Sequence, residues 1–272
     1  GGNAVGFDEG SGGSYDYDKN GNLTDDPYKD LLIAYNHLNL PDTVTPGTGS
    51  DKLVFFYTAG GSKLRQKLIE TGGNTIQDYI GGIEYTNSTV DAIYHAEGRA
   101  VKDGSTWDHE YVITDHLGNT RVRFHDDNGN GTISSGELLS THDYYPFGME
   151  WNASSYQYTY NGKERNDELG LELFDYGARM YDPVIGRFMM IDPRAEKYYS
   201  INPYNYVANN PIVNIDPNGD TLRAVNEVSG QRTLELINNT GNINQSGLFS
   251  LSGDGKTFNT VPLIAFYKSL KY

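Results

Sequence analysis

Turns constrain this chain more than any other feature. Asn20-Gly21, Gly60-Gly61, Gly72-Gly73, Gly81-Gly82, Gly118-Asn119, Asn128-Gly129 and Asn161-Gly162 punctuate it. Each pair suits a tight reversal, because glycine and asparagine enter positive φ at little steric cost. Between them lie short alternating or aromatic stretches: Leu53-Val54-Phe55-Phe56-Tyr57, Thr120-Arg121-Val122-Arg123-Phe124 and Tyr156-Gln157-Tyr158-Thr159-Tyr160. Strands of this length joined by such turns predict an all-β chain built on a meandering antiparallel sheet. Helical periodicity is confined to a turn or two at 26–34 and 194–200.

Composition agrees. Tyrosine outnumbers phenylalanine 22 to 10, which suits sheets whose rings pack inward while their hydroxyls find partners. The 272 residues can bury one large β domain or two small ones. A net charge of −15 argues against a nucleic-acid-binding surface and makes divalent cations plausible partners, although solubility alone would explain it equally well. There is no cysteine, so no disulfide or thiolate metal site exists, and an exported bacterial protein is favoured. Gly1-Gly2-Asn3 is neither a start methionine nor a signal peptide, which reads as a piece of a longer protein. No apolar run reaches the ~18 residues that would suggest a membrane span.

An imperfect repeat sits on the turns. Tyr17-Asp18-Lys19-Asn20-Gly21-Asn22-Leu23, Tyr57-Thr58-Ala59-Gly60-Gly61-Ser62-Lys63-Leu64 and Thr114-Asp115-His116-Leu117-Gly118-Asn119-Thr120 share a spacing, and Tyr181-Asp182-Pro183-Val184-Ile185-Gly186-Arg187-Phe188 is a longer relative. In each, tyrosine or threonine ends a strand, a polar residue opens the turn and glycine takes positive φ. Such a unit cannot bury its face alone and must stack on neighbours.

These units resemble the tyrosine–aspartate repeat of the Rhs/YD family. The stretch from Asp115-His116-Leu117-Gly118-Asn119 through Tyr145-Pro146-Phe147-Gly148 is similar to the approach to that family's core domain. Tyr160-Asn161-Gly162-Lys163-Glu164 and the motif from Leu173 through Asp175-Tyr176-Gly177-Ala178-Arg179-Met180-Tyr181-Asp182-Pro183 are similar to the core's opening. Gly186-Arg187-Phe188, Asp192-Pro193, Asn202-Pro203-Tyr204-Asn205-Tyr206, Asn209-Asn210-Pro211 and Asp216-Pro217-Asn218-Gly219 are similar to its close. The resemblance implies an antiparallel YD-repeat sheet, part of a spiralling β-shell, closed by a core plug. It assigns 1–150 to the repeat segment, 151–220 to the core and 221–272 to a variable C-terminal tail. It further implies a secreted or bacterial cell-surface location, and partnership with upstream repeats of the same parent, with a C-terminal toxin-like cargo and with secretion machinery.

In cleaving relatives, aspartates at the two Asp-Pro positions cut the chain's own backbone. Those positions are Asp192 and Asp216 here, which makes the bond between Asp220 and Thr221 the scissile one and Arg187 the supporting cation. The chemistry needs one carboxyl protonated and the other ionised, which proximity of two like charges enforces. Three departures stand against it, one being Tyr199-Ser200 in place of the usual Gly-Gly. Asp220 replaces the usual leucine and adds a third negative charge, and Arg194-Ala195-Glu196 replaces the usual Ile-Gly-Leu. Asp-Pro also serves simply as a turn, so the chain is at most an autoprotease, and a non-cleaving structural or adhesin-like surface protein is the alternative.

A second candidate site is the stretch 126–137, which fits the twelve-residue calcium loop of the EF-hand position by position. Asp126, Asn128, Asn130, the Thr132 carbonyl and Glu137 fall at ligand positions, with Gly131 at the sharp turn and Ile133 as the apolar anchor. The flanks read as strand before the loop and a short helical turn from 137 to 144. Ca²⁺ is the expected ion, against the alternative of an Asn/Gly-rich hairpin tip. All six histidines lie between His37 and His142 without metal-ligand spacing, and Trp107 and Trp151 are expected on the sheet. The tail has no histidine, which excludes a histidine-dependent nuclease within it.

Overall fold

The computed structural model describes residues 13–151 and 154–225, and the backbone of Leu234–Glu235. Thirteen strands form one sheet in chain order: β1 (Asp16–Tyr17), β2 (Leu23–Asp26), β3 (Leu31–Tyr35), β4 (Pro41–Pro46), β5 (Lys52–Tyr57), β6 (Lys63–Glu70), β7 (Gly73–Ile80), β8 (Ile83–Thr86), β9 (Thr89–His95), β10 (Gly98–Asp103), β11 (Thr106–Thr114), β12 (Thr120–His125) and β13 (Leu138–Thr141). Each pairs antiparallel with its sequence neighbours alone, so the sheet is an open meander with β1 and β13 at its edges.

Two reversals come from the turn chemistry directly. β7 and β8 pair Ile80 with Ile83 around Gly81 and Gly82, both at positive φ, and β8 and β9 pair Thr86 with Thr89 around Asn87 and Ser88, again both at positive φ. Two consecutive left-handed residues match the twist of the flanking strands. The longer repeat turns share one hydrogen-bonding scheme. Asp18 Oδ1 accepts from the N–H groups of Asn20 and Asn22, Asp115 Oδ1 from Leu117 and Asn119, and Asn36 Oδ1 from Leu38 and Leu40. The left-handed residue three places on is Gly21, Gly118 and Asn39 respectively. The Asn36 turn is a further copy, hidden in sequence because asparagine fills the glycine place.

Four strands form a second sheet: β14 (Glu164–Asn166), β15 (Leu173–Asp175), β16 (Met180–Asp182) and β17 (Arg187–Phe188). β18 (Asn214–Ile215), β19 (Arg223–Ala224) and β20 (Leu234–Glu235) form a third. The first sheet presents an apolar row made by alternation, in which Ile33 pairs with Val44 and Val44 with Leu53. Leu171, Leu173, Met180 and Met189 cover that row, each buried side chain contributing about 1.5–3 kcal/mol relative to exposure. A second cluster is aromatic: Tyr160, Phe174, Tyr176, Tyr181, Phe188 and Tyr206. Their hydroxyls are satisfied as expected of buried tyrosine: Tyr181 donates to Phe147 O at 2.7 Å, and Tyr176 and Tyr206 both donate to Asn161 Oδ1, at 2.7 and 2.6 Å.

Several local expectations are corrected. Residues 26–34 form strand, turn and strand, because Asp26 Oδ1 caps the N–H groups of Tyr28 and Lys29 and closes a reversal. Only Ala195–Lys197 of the second helical stretch makes a 3-10 turn. The segment after the calcium-type loop is the strand β13, paired to β12. The 156–160 stretch is not a strand; Tyr158 makes a single bridge to Glu164 and a 3-10 turn follows at Tyr160–Gly162. Trp151 is exposed and packs on Tyr145 at 5.3 Å between ring centroids rather than on the sheet. The tail expected at 221–272 lies outside the described residues beyond Val225, except for the backbone of β20.

Candidate functional site

Two chain segments 24 residues apart in sequence meet on one buried guanidinium. Arg179, next to β16, is 2 % exposed. Its Nη2 donates to Asp192 Oδ2 at 2.8 Å and to Asp216 Oδ2 at 3.3 Å, its Nη1 to Pro203 O at 3.1 Å, and its Nε to Gly219 O. The guanidinium lies over the Phe188 ring, 3.6 Å from its centroid, which holds the planar group in place. Two carboxylates, two carbonyls and a ring thus offset the cost of burying the cation.

Asp216 is the buried partner. Its Oδ1 accepts from the N–H groups of Asn218, Gly219, Asp220 and Thr221 at 3.2, 2.8, 3.1 and 3.1 Å, folding the chain around the carboxyl. Burial pushes its carboxyl above the ordinary range, against the opposing pull of those N–H groups and Arg179. Asp192 is more open, and its Oδ1 accepts from Arg194 N at 2.7 Å. Lys163 Nζ donates to Pro217 O at 2.6 Å and Ala178 N to Asn218 O at 3.0 Å, so successive carbonyls of the 217–219 turn are gripped. Arg179, Asp192 and Asp216 line a cavity of about 30 Å³ with Tyr198, Pro203 and Leu222, room enough for a water molecule.

Two sequence expectations change here. Arg187 is not at the pair; it sits opposite Asp182 in the β16–β17 register, and its Nη1 donates to Gly186 O and Asn209 Oδ1, both at 2.9 Å. Strand alternation sends Phe188 inward and leaves Arg187 outside, so Arg179 takes the place. Asp220 does not add an unopposed charge, since Arg194 Nη2 stands 3.0 Å from its Oδ2. Arg179 lay inside the recognised motif; its signal was the single cation within an otherwise apolar, aromatic and turn-forming stretch. Lys163 carried no signal beyond the same kind of motif.

The 126–137 loop is closed on itself. Asp126 Oδ1 accepts from Asn130 N and Oδ2 from Gly131 N, at 3.1 and 2.9 Å. Asn130 Oδ1 accepts from Thr132 N at 2.7 Å. Glu137 Oε2 accepts from Ser134 N at 2.9 Å and Oε1 from Asn128 Nδ2 at 2.7 Å. The Ser134 hydrogen bonds hold the Glu137 carboxyl below the usual range. Asp127 turns away to His125 Nδ1 at 2.8 Å. Among the described residues no group of three or more His, Cys, Asp or Glu side chains is arranged to hold a metal. The Asp126, Asn130 and Glu137 side-chain oxygens thus accept hydrogen bonds from within the loop itself.

No family model matches the chain. It is 37 % identical over 114 residues to salivary gland surface protein 1 of Aedes aegypti, an alignment covering 40 % of this chain and 3 % of that protein. It is 31 % identical over 206 residues to toxin subunit YenC1 of Yersinia entomophaga, covering 65 % of this chain and 20 % of that subunit. In fold it matches a chain in the structure of the Photorhabdus luminescens Tc holotoxin pore, with a TM-score of 0.62, 22 % identity, and coverage of 86 % of this chain and 11 % of that one. The chain thus spans about a fifth or less of each protein it matches. It is similar in sequence to a toxin subunit and shares its antiparallel β fold with part of a chain in the Tc holotoxin pore.

Proposed function

We propose that the chain is the C-terminal part of an exported Rhs/YD-repeat shell, in which the thirteen-stranded sheet is wall and the segment from 151 to 220 is the core plug, and that the core cuts its own backbone to free a C-terminal cargo. The observation that carries the reading is the convergence of Asp192 and Asp216 on Arg179 beside a water-sized cavity. Turn formation alone does not require two Asp-Pro carboxyls to share a buried cation. One carboxyl of the pair would hold the proton while the other activates water. Upstream repeats, the cargo and a secretion apparatus would be its partners, and the location would be secreted or cell-surface. Full-length wild type, Asp192→Asn and Asp216→Asn expressed in parallel test it: two fragments from the wild type and intact chains from both variants are expected. Intact wild type would favour the non-cleaving surface-protein reading.

A second proposal concerns Ca²⁺ at Asp126, Asn128, Asn130, the Thr132 carbonyl and Glu137. It is favoured by the all-oxygen donor set of the twelve-residue pattern, and the ion would displace the loop N–H groups that Asp126 and Glu137 now hold. With two carboxylates the affinity belongs to the ~10⁻⁴–10⁻³ M range of extracellular modules. Calorimetric titration should give saturable Ca²⁺ heat that Glu137→Ala removes while the far-UV spectrum stays unchanged. Absence of heat at millimolar Ca²⁺ would reject it.

A further inference from the structure

We infer that the side chains of Lys63 and Asp175 condense into an internal amide, with Glu164 carrying the protons, so that a covalent bond ties the thirteen-stranded sheet to the second sheet. Lys63 opens β6, Glu164 opens β14 and Asp175 closes β15, and the β14–β15 register sets the two carboxyl residues opposite each other. Lys63 Nζ lies 2.7 Å from Glu164 Oε2 and 3.1 Å from Asp175 Oδ2. The three side chains are 9, 8 and 13 % exposed, and Nζ stands 4.6 Å from the centre of the Tyr79 ring. Amine, carboxyl and proton carrier thus meet almost out of water, in contact before any reaction and shielded from hydrolysis after it.

The two carboxyls differ in what holds them. Glu164 Oε1 accepts from the Tyr79 hydroxyl, which fixes it beside the amine. Asp175 Oδ1 accepts from Gly177 N at 2.8 Å, a donor placed where negative charge develops when an amine adds to the carboxyl carbon. Burial works against the ammonium, yet Glu164 and Asp175 hold Lys63 above its ordinary range. The amine is therefore released by proton transfer inside the cluster and not by solvent. Lys29 supplies a contrast. Its Nζ meets Asp182 Oδ2 at 2.8 Å, but its other partner is the Leu171 carbonyl, also at 2.8 Å, which cannot relay a proton. Lys29 stays an ion pair.

The reaction runs on the ammonium's own protons. Nζ passes one proton through Glu164 to Asp175, leaving a neutral amine beside a neutral carboxyl. The nitrogen lone pair then forms a bond to Asp175 Cγ, and the charge that collects on Oδ1 is met by the Gly177 N–H. A second proton moves from the nitrogen through Glu164 to Oδ2, and the Cγ–Oδ2 bond breaks to release water. The third hydrogen stays on the amide nitrogen, and Glu164 ends as it began.

Intact mass and peptide mapping of the purified full chain test the inference, with Lys63→Arg and Glu164→Gln alongside. Residues 63 and 175 lie on the same side of the proposed cut, so the result does not depend on self-cleavage. The wild type is expected to be lighter than its sequence by one water, with the peptides holding Lys63 and Asp175 recovered as a joined pair. Lys63→Arg keeps the cation but not the nucleophile and should show its full mass, and Glu164→Gln should remain mostly unjoined. A wild type at full mass, a joint at Lys29 and Asp182 in its place, or a Glu164→Gln chain joined as completely as the wild type would overturn it.

Discussion

At the residue scale the molecule is governed by buried carboxyls and the groups that face them. Glu84, Glu164 and Glu168 meet beneath the sheet: Lys63 Nζ pairs with Glu164 Oε2 at 2.7 Å, Tyr79 donates to Glu164, Tyr158 to Glu84, and Gln66 to Glu168. Glu168 is the strained member. Burial pushes its carboxyl up to about 7, with Asp167 and Glu164 adding to the rise and Lys63 opposing it. Its folded value lies above the unfolded one, so its contribution to stability is complete below about pH 4.5 and is lost as pH rises through about 7. The loss is on the order of 3 kcal/mol. Wild type should therefore melt at progressively lower temperature from about pH 5 to 8, while Glu168→Gln should show a flatter profile by calorimetry. A variant with the same slope would place the effect elsewhere. None of this was readable from sequence, where Glu164 and Glu168 look like ordinary surface glutamates beside Asn161-Gly162.

At the element scale the turns were the legible part. Gly81-Gly82 gave a two-residue hairpin, and the Asp18 and Asp115 units gave the same capped reversal, because one carboxylate can satisfy two nearby N–H groups only in that geometry. Strand extent was less legible where side-chain contacts overrode alternation: Tyr156, Tyr158 and Tyr160 alternate like a strand, yet Tyr160 is drawn into the aromatic cluster. The aspartate pair was legible through its motif, while its cation was misplaced because burial of Arg179 depends on contacts from Pro203 and Gly219, distant in sequence. Gly21 tests the seam between the thirteen-stranded sheet and the segment that packs on it. It has φ +77°, a Cβ there would meet Tyr204 Oη at 2.7 Å and collide with Ile191, and Tyr204 donates to Gly21 O at 2.9 Å. Gly21→Ala should cost about 1–3 kcal/mol in denaturant unfolding. A cost below about 0.5 kcal/mol, the range of ordinary surface changes, would contradict this packing.

At the scale of the whole molecule, an open meander with a packed face explains both what the chain can do and what it needs. Among the described residues β1 and β13 each pair on one side only, and such edges recruit further strands. Purified chain should associate with rising concentration by light scattering, and a strictly monomeric sample would count against exposed edges. The buried sheet face, by contrast, is already covered by Leu171, Leu173, Met180 and Met189, and Arg179 next to them is paired with Asp192 and Asp216. The measurement that tests this account most directly is a time course of intact mass for full-length wild type and Asp216→Asn. The account predicts two fragments that accumulate from the wild type and an intact Asp216→Asn chain, since Asp216 shares the Arg179 guanidinium with Asp192. A wild type that stays intact, or a cut that survives in Asp216→Asn, would contradict it.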